Sequence, residues 1–432
     1  MTTSTQQLEH SAGRVSAMAN GLIGSEVLKI AADIRAMAAD GKQICNLTVG
    51  DFSPTEFRIP RFLEENIREA LRRGETNYPP SDGMLALRKA VLSFYDRWLH
   101  LEYPVDSVLI TGGSRPGIYA TYAALVDPGD LVVYPVPSWN NNHYCHLSAA
   151  APRPVVCSPA DAFLPTRETL KEALTGARLL ALNSPLNPTG TAFTRRTLEG
   201  ICDLVLEENA RRAHSRRPLY VLYDQVYWML TFGSTEHVDP VSLCPAMRPY
   251  TIFVDGISKA FAATGLRVGW VVGPQDILQR MVSILGHIGA WAPRAEQVAV
   301  ARLLGATGEI QGYHREMKKA LLARLDLLHE SLMALKADGL PVDTVPPMAG
   351  IYLSARFDLN GYRTASGETL RTNEEIRHYL LHQAGLAVVP FQAFGSVKDD
   401  GWFRLSVGAV SMGEINDMLP HLRKALQEAR RV

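Results

Sequence analysis

The sequence predicts an α/β protein, with a large domain on a mostly parallel central sheet flanked by helices and a smaller α+β domain after it. Three observations carry this. Short, continuously apolar runs recur through the middle of the chain, as expected of strands buried on both faces. Helical stretches lie between them. Near residue 305 the pattern changes to a long helix followed by mixed strands and helices. At 432 residues the chain is long enough for more than one core. The expected division is an N-terminal arm over residues 1–23, a segment at 24–55 joining the small domain, a large domain at 56–320 and a small domain at 321–432.

Taken in order, "SEVLKIAADIRAMAADGK" reads as an amphipathic helix, capped by Ser25, with Val27, Leu28, Ile30 and Ile34 inward and Gly41 ending it. "ICNLTVGD" holds a short strand ending at Gly50. "RFLEENIREALRRG" and "MLALRKAVLSFYDRWL" are helices. The large-domain strands are "SVLIT", "DLVVYPVP", "LLALNSP", "YVLYD", "TIFVDG" and "GWVVG", with "TRRTLEGICDLVLEENARR" a helix among them. "RRAHSRRP" reads as a solvated basic loop. The small domain follows as strand "AGIYLSARF", helix "TNEEIRHYLLHQAG", strand "LAVVPF", strand "WFRLSVG" and helix "GEINDMLPHLRKALQEARR".

Composition narrows the function. Forty-four basic side chains balance 44 acidic ones, which argues against a polyanion partner such as nucleic acid. No apolar run reaches the length of a membrane span, and the first residues lack a signal-peptide core. Five scattered cysteines without CxxC spacing fit reduced thiols in a cytoplasm and predict no metal site.

Ligands of such sheets bind beyond the carboxyl ends of the strands, so the residues there are the informative ones. "GGSRPG" after "SVLIT" is a glycine-rich turn into a helix, able to cradle phosphate with Gly113 and Ser114. Trp139, in "SWNNNHY", could stack on a flat ring. Asn187, in "LNPTG", would point an amide at the same rim. Asp224 closes an apolar strand and needs a partner, for which a protonated ring nitrogen would serve. Tyr227 could donate to a ring oxygen. Ser258 and Lys259 follow the next strand, and Arg267 offers donors suited to phosphate. A lysine held near cations loses pKa and becomes a nucleophile and base. Each residue alone has an ordinary structural explanation as a turn, a cap, a core aromatic or a surface charge. Together they suit one ligand, pyridoxal 5′-phosphate bound covalently through a lysine.

From "SKAFAATGLRVGW", "NPTG", "YDQVY", "PSWNNNH", "YPPSDGMLALRKAV" and "FRLSVG", in this order, the chain resembles the class I/II pyridoxal-phosphate aminotransferases of fold type I, the aspartate aminotransferase group. The likeness runs from about Gly24 to the C-terminus. It implies that Lys259 is the Schiff-base lysine and Asp224 the acid on the pyridine nitrogen. It likewise implies that Tyr227 and Asn187 donate to the ring oxygen and that Trp139 lies over the ring. Gly113, Ser114 and Arg267 match phosphate binders, and Arg115 and Ser258 beside them are assigned to the cofactor. Tyr78 matches the tyrosine that reaches a neighbouring subunit's phosphate, which implies a homodimer. Arg404 matches the grip on the substrate α-carboxylate, and Gly50 the glycine lining the substrate pocket. In two places the chain departs from the commoner pattern: Gly256 stands where many relatives have serine, and Phe391 where glycine is usual.

The implied activity is ping-pong transfer of an amino group from an aspartate- or aromatic-type L-amino acid to a 2-oxo acid such as 2-oxoglutarate. A dicarboxylate would need a second cation, for which Arg115 and Arg294 are the candidates. Trp291 and Phe391 instead favour an apolar side chain. The alternatives are a lyase running elimination on the same fold, a cofactor-sensing regulator and an inactive interaction module. Only about two dozen residues precede the aminotransferase-like part, which leaves little room for a regulator's DNA-binding domain.

Overall fold

The computed structural model of the protein describes residues 14–22, 30, 34, 37, 42–212 and 217–431. The predicted N-terminal helix falls mostly outside these, including Ser25, Val27, Leu28 and Gly41. Ile30, Ile34 and Met37 are described and buried. Of the predicted arm, residues 14–22 are described, and there the Met18 carbonyl accepts from His146 Nε2 at 2.7 Å.

A short strand, β1 (Cys45–Asn46), leads to helices α1 (Arg61–Arg72) and α2 (Leu85–Leu99). Strand β2 (Val108–Thr111), helix α3 (Ser114–Leu125), β3 (Leu131–Val136) and β4 (Ala151–Val156) follow. Then come β5 (Leu179–Asn183), helix α4 (Arg195–Arg212), β6 (Tyr220–Asp224), β7 (Thr251–Gly256) and β8 (Gly269–Val272). These seven strands form one sheet in the order β2-β8-β7-β6-β5-β3-β4. Only β8 runs antiparallel to its neighbours, so the sheet is mostly parallel as predicted.

Alternation along the strands feeds two cores. Leu180, Leu182, Val221, Tyr223 and Phe253 pack on one face with α2 and α4. Leu179, Ala181, Leu222, Ile252 and Val254 pack on the other with Ile118 and Tyr122 of α3 and with Ile277 and Met281 of α5 (Gln275–Ile288). Both faces are apolar because both are covered.

Helices α6 (Arg294–Gly305) and α7 (Thr307–Ala337) lead to β9 (Val342–Thr344), β10 (Tyr352–Phe357) and β11 (Tyr362–Arg363). Helix α8 (Asn373–Ala384) opens with a Thr372–Glu375 capping box and ends on left-handed Gly385. Beyond it lie β12 (Leu386–Ala387), β13 (Val389–Pro390), β14 (Trp402–Ser406), helix α9 (Met412–Glu428) and β15 (Arg430–Arg431). The second main sheet is antiparallel, β13-β14-β10-β9.

Four sequence expectations change. The edge strand β4, "APRPVV", was not foreseen: its two prolines and exposed residues suit an edge, where missing N–H groups face solvent. "LAVVPF" is two strands, since Leu386–Ala387 pairs in parallel with β1 while Val389–Pro390 pairs with β14. The basic loop is not wholly solvated, because Arg212 is buried and bonded to Glu208 at 2.9 Å. Phe391, expected to favour an apolar substrate side chain, is a core residue: it is 2% exposed and packs against Phe163 and Trp402.

Candidate active site

The carboxyl ends of β2, β3, β5, β6 and β7, the segment after β1, and the inner strands of the second sheet surround one cleft of about 750 Å³. Ser114, Arg115, Trp139, Asn187, Asp224 and Tyr227 line it. So do Ser258, Lys259, Arg267, Gly50 and Arg404. Tyr78 does not: it is 82% exposed and lies edge-on to Trp291, with centroids 5.4 Å apart. Arg294 is also outside the cleft and pairs with Glu75 at 2.6 Å.

Lys259 sits on a single helical turn, Ile257–Ala260, directly after β7. Its Nζ donates to the Gly50 carbonyl at 2.6 Å. Burial, opposed by Asp51 and reinforced by Arg404, Arg115 and Arg267, brings its pKa down to about 8. The amine is therefore partly neutral, and nucleophilic, near physiological pH.

Asp224 ends β6. Val226 N–H donates to its Oδ1 at 3.1 Å, and no described residue donates to its other oxygen. Burial raises its pKa to about 6. Asn183 ties the strand ends together: its Nδ2 donates to the Asp224 carbonyl at 2.8 Å, and its Oδ1 accepts from Asn187 N–H at 2.8 Å.

Arg404 projects from β14, between β13 and β10, and is 2% exposed. Its Nη2 donates to the Thr48 carbonyl at 2.6 Å and its Nη1 to Asn187 Oδ1 at 3.2 Å. Its Nε is buried without a partner. The guanidinium lies 4.8 Å from the Tyr352 ring centre and 4.9 Å from that of Phe394. No carboxylate pairs with it among the described residues, which leaves a buried cation without its counter-charge.

The phosphate-cradle expectation meets a built geometry. Gly113 precedes α3 with φ 91°, and a side chain there would collide with the Arg267 guanidinium. Arg267 itself has φ 55°, and it donates from Nη1 to the Thr264 carbonyl at 2.7 Å and from Nη2 to the Gly112 carbonyl at 3.0 Å. A Cβ on Gly269 would lie 2.7 Å from Ser114 N, and one on Gly256 2.8 Å from Gly269 Cα. Gly256 and Gly269 thus let β7, β8 and the start of α3 approach to backbone contact, and Gly113 leaves room for the Arg267 guanidinium. This is the steric reason why serine does not stand at position 256.

Three contributors were missed by sequence reasoning. Asp51, which moderates Lys259, accepts from Thr264 Oγ1 at 2.6 Å. Its position next to Gly50 was a usable signal. Tyr352 was read only as part of a strand, yet its hydroxyl lies 2.8 Å from that of Tyr227. Asn183 was read only as a strand end.

The cleft thus collects four cations, Lys259, Arg115, Arg267 and Arg404, against two acids, Asp51 and Asp224. It suits anionic ligands. A half-buried, half-satisfied acid, a buried guanidinium without an ion-pair partner and a glycine-built helix start fit a flat, phosphate-bearing cofactor together with a carboxylate substrate. Among the described residues no group of three or more His, Cys, Asp or Glu could hold a metal ion. Nor is any helix among them long and apolar enough to cross a membrane.

The chain is similar in sequence and fold to known proteins. A family model described as aminotransferase class I and II matches residues 42–422. An aspartate aminotransferase of Rhizobium meliloti (strain 1021) is 31% identical over 93% of this chain and 93% of its own. A bifunctional aspartate aminotransferase and glutamate/aspartate-prephenate aminotransferase of Petunia hybrida is 30% identical over 95% of this chain and 82% of its own. The crystal structure of an aspartate aminotransferase from Rhizobium meliloti superposes with a TM-score of 0.88 at 28% identity, covering 96% of this chain and 99% of that one.

Proposed function

The chain belongs to the class I and II aminotransferases, and from that premise we propose that Lys259 holds pyridoxal 5′-phosphate in the cleft and serves it as base and acid. The observation that carries this reading is the set of charged groups without an ion-pair partner among the described residues: a lysine amine lowered to about 8, a half-bonded Asp224 and Arg404, around one cavity. One cofactor and one amino-acid carboxylate would satisfy all three.

Bound there, the cofactor would supply an aldehyde carbon that accepts the amino group and a ring that takes up negative charge. Asp224 holds the proton on the ring nitrogen. The α3 N-terminus, Gly113, Ser114, Ser258 and Arg267 receive the phosphate. Trp139 stacks on the ring, and Tyr227 and Asn187 meet its oxygen. Arg404 takes the substrate α-carboxylate in a two-pronged grip, its orientation fixed by Asn187 and the Thr48 carbonyl. Gly50 leaves room for that carboxylate, since a Cβ would lie 2.9 Å from the Tyr352 hydroxyl. Lys259 Nζ, displaced by the incoming amine, would remove the proton from the substrate α-carbon and hold it for return to the aldehyde-derived carbon, two atoms further along the frame.

The donor we propose is a dicarboxylic amino acid of aspartate type, with 2-oxoglutarate as acceptor. Arg115 lines the cleft with its guanidinium 5.3 Å from the Trp139 ring and no carboxylate partner among the described residues. Arg294 is neutralised by Glu75, and Phe391 lies in the core. The exposed Tyr78 beside Trp291 fits a homodimer in which it reaches the other subunit's site. We also assign residues 56–320 to the large domain and 321–432 to the small one. The five free cysteines suit a cytoplasmic setting.

Borohydride reduction of the pyridoxal-phosphate-loaded protein, followed by peptide mapping, should mark Lys259. A donor panel should show aspartate preferred over alanine. Arg115→Gln should raise KM for aspartate by roughly 10- to 100-fold, the value of one charge-assisted contact, with little change for phenylalanine. A mark elsewhere, or activity only with alanine-sized donors, overturns this reading.

A further inference from the structure

Tyr227 and Tyr352 are both buried, at 4% and 1% exposure. Their hydroxyls are 2.8 Å apart, and among the described residues neither has another hydrogen-bond partner. Each phenol carries one proton. If Tyr227 spends its proton on a ligand oxygen in the cleft, only Tyr352 can donate between the two. The bond is then directional: Tyr352 to Tyr227 to ligand. Tyr352 is itself polarised from the other side, because the Arg404 guanidinium lies 4.8 Å from its ring centre. Its place is also fixed. Tyr352 and Arg404 lie two registers apart on paired strands, Tyr352 opposite Ser406, and so share a face.

We infer that Tyr352 is a positioning residue for amino transfer: it locks the Tyr227 hydroxyl as a donor to the cofactor's ring oxygen and links that donor to the carboxylate-binding Arg404. The inference rests on the reading that Tyr227 meets that oxygen. The ring oxygen's negative charge favours a proton on the Lys259 nitrogen joined to the cofactor. A donor to the oxygen drains that charge and lets the proton leave at lower pH. Tyr352 strengthens the donor by making the Tyr227 oxygen an acceptor in a cooperative chain.

The test is a spectrophotometric pH titration of the pyridoxal-phosphate-loaded protein in four forms: wild type, Tyr352→Phe, Tyr227→Phe and the double variant. Tyr227→Phe should raise the midpoint by roughly one to two pH units, as expected for a hydrogen bond to a charged group. Tyr352→Phe should raise it by roughly 0.2 to 0.5 pH unit, a cooperative neighbour's share of that effect. The double variant should match Tyr227→Phe alone, because the second hydroxyl acts only through the first. A purely structural role for Tyr352 would lower thermal stability and leave the midpoint in place. An unmoved midpoint in Tyr352→Phe, or shifts that add in the double variant, overturns the inference and leaves the cofactor reading standing. A wild-type protein with no borohydride-fixed cofactor on Lys259 overturns both.

Discussion

Replacing Lys259 by methionine should make the cofactor-free protein more stable near neutral pH while abolishing amino transfer. The amine is held at about 8 in the folded protein, against 10.5 for a free lysine, chiefly because it is buried. That gap corresponds to on the order of 3 kcal/mol. Between pH 8 and 10.5 the unfolded chain holds the extra proton, so folding stability from this group rises with pH. Below pH 8 both states are protonated and the full handicap is present; above 10.5 it is gone. Methionine keeps the length without the charge, but it gives up the bond to the Gly50 carbonyl, worth about 1 kcal/mol. The variant should therefore lead by about 2 kcal/mol at pH 7 and lose that lead by pH 10.5. Denaturant midpoints of the two cofactor-free proteins at a series of pH values measure this, because every other titrating group appears in both and cancels. A difference that stays constant from pH 7 to 10.5 would refute a depressed lysine. A variant that still transaminates would refute its catalytic role.

Two further outcomes follow from the same geometry. Arg404→Ala should lower kcat/KM for amino acids by roughly 10²- to 10³-fold, as for loss of a two-pronged charged grip, without preventing cofactor attachment. An amine lacking a carboxylate should react equally slowly with both proteins, and a selective loss of cofactor binding would count against the assignment. Gly256→Ser, which inserts the hydroxyl common in relatives, should weaken cofactor binding and cost about 1–3 kcal/mol of stability, because its Cβ presses on the Gly269 backbone. Tighter binding at unchanged stability, read by fluorescence titration and thermal melts, would show that the backbone yields.

Much of this was legible along the chain, for a physical reason. A parallel sheet covered on both faces needs unbroken apolar strands, so "LLALN" and "YVLYD" announce themselves. Residues that line a cleft at such a sheet sit at or just beyond the ends of those strands, which is why Asn187, Asp224 and Lys259 stand out by position. Edge strand β4 escaped because an edge tolerates proline and exposure, which erase the apolar signal. Tyr352 and Asn183 escaped because their roles lie in partners 125 and 41 residues away.

By itself, then, the sequence determined the order of strands and helices, the family and the cleft-lining residues at the strand ends, since these depend on local pattern, motif and spacing. Only the tertiary structure decided which charges are neutralised and which backbones touch. Arg115 and Arg294 are equal as letters, yet Glu75 neutralises one and leaves the other facing the cleft. Gly256 looked like a missing hydroxyl and is a required absence of side chain against Gly269. Long-range packing sets these distances, and no spacing along one chain encodes them in a form that can be read without the fold.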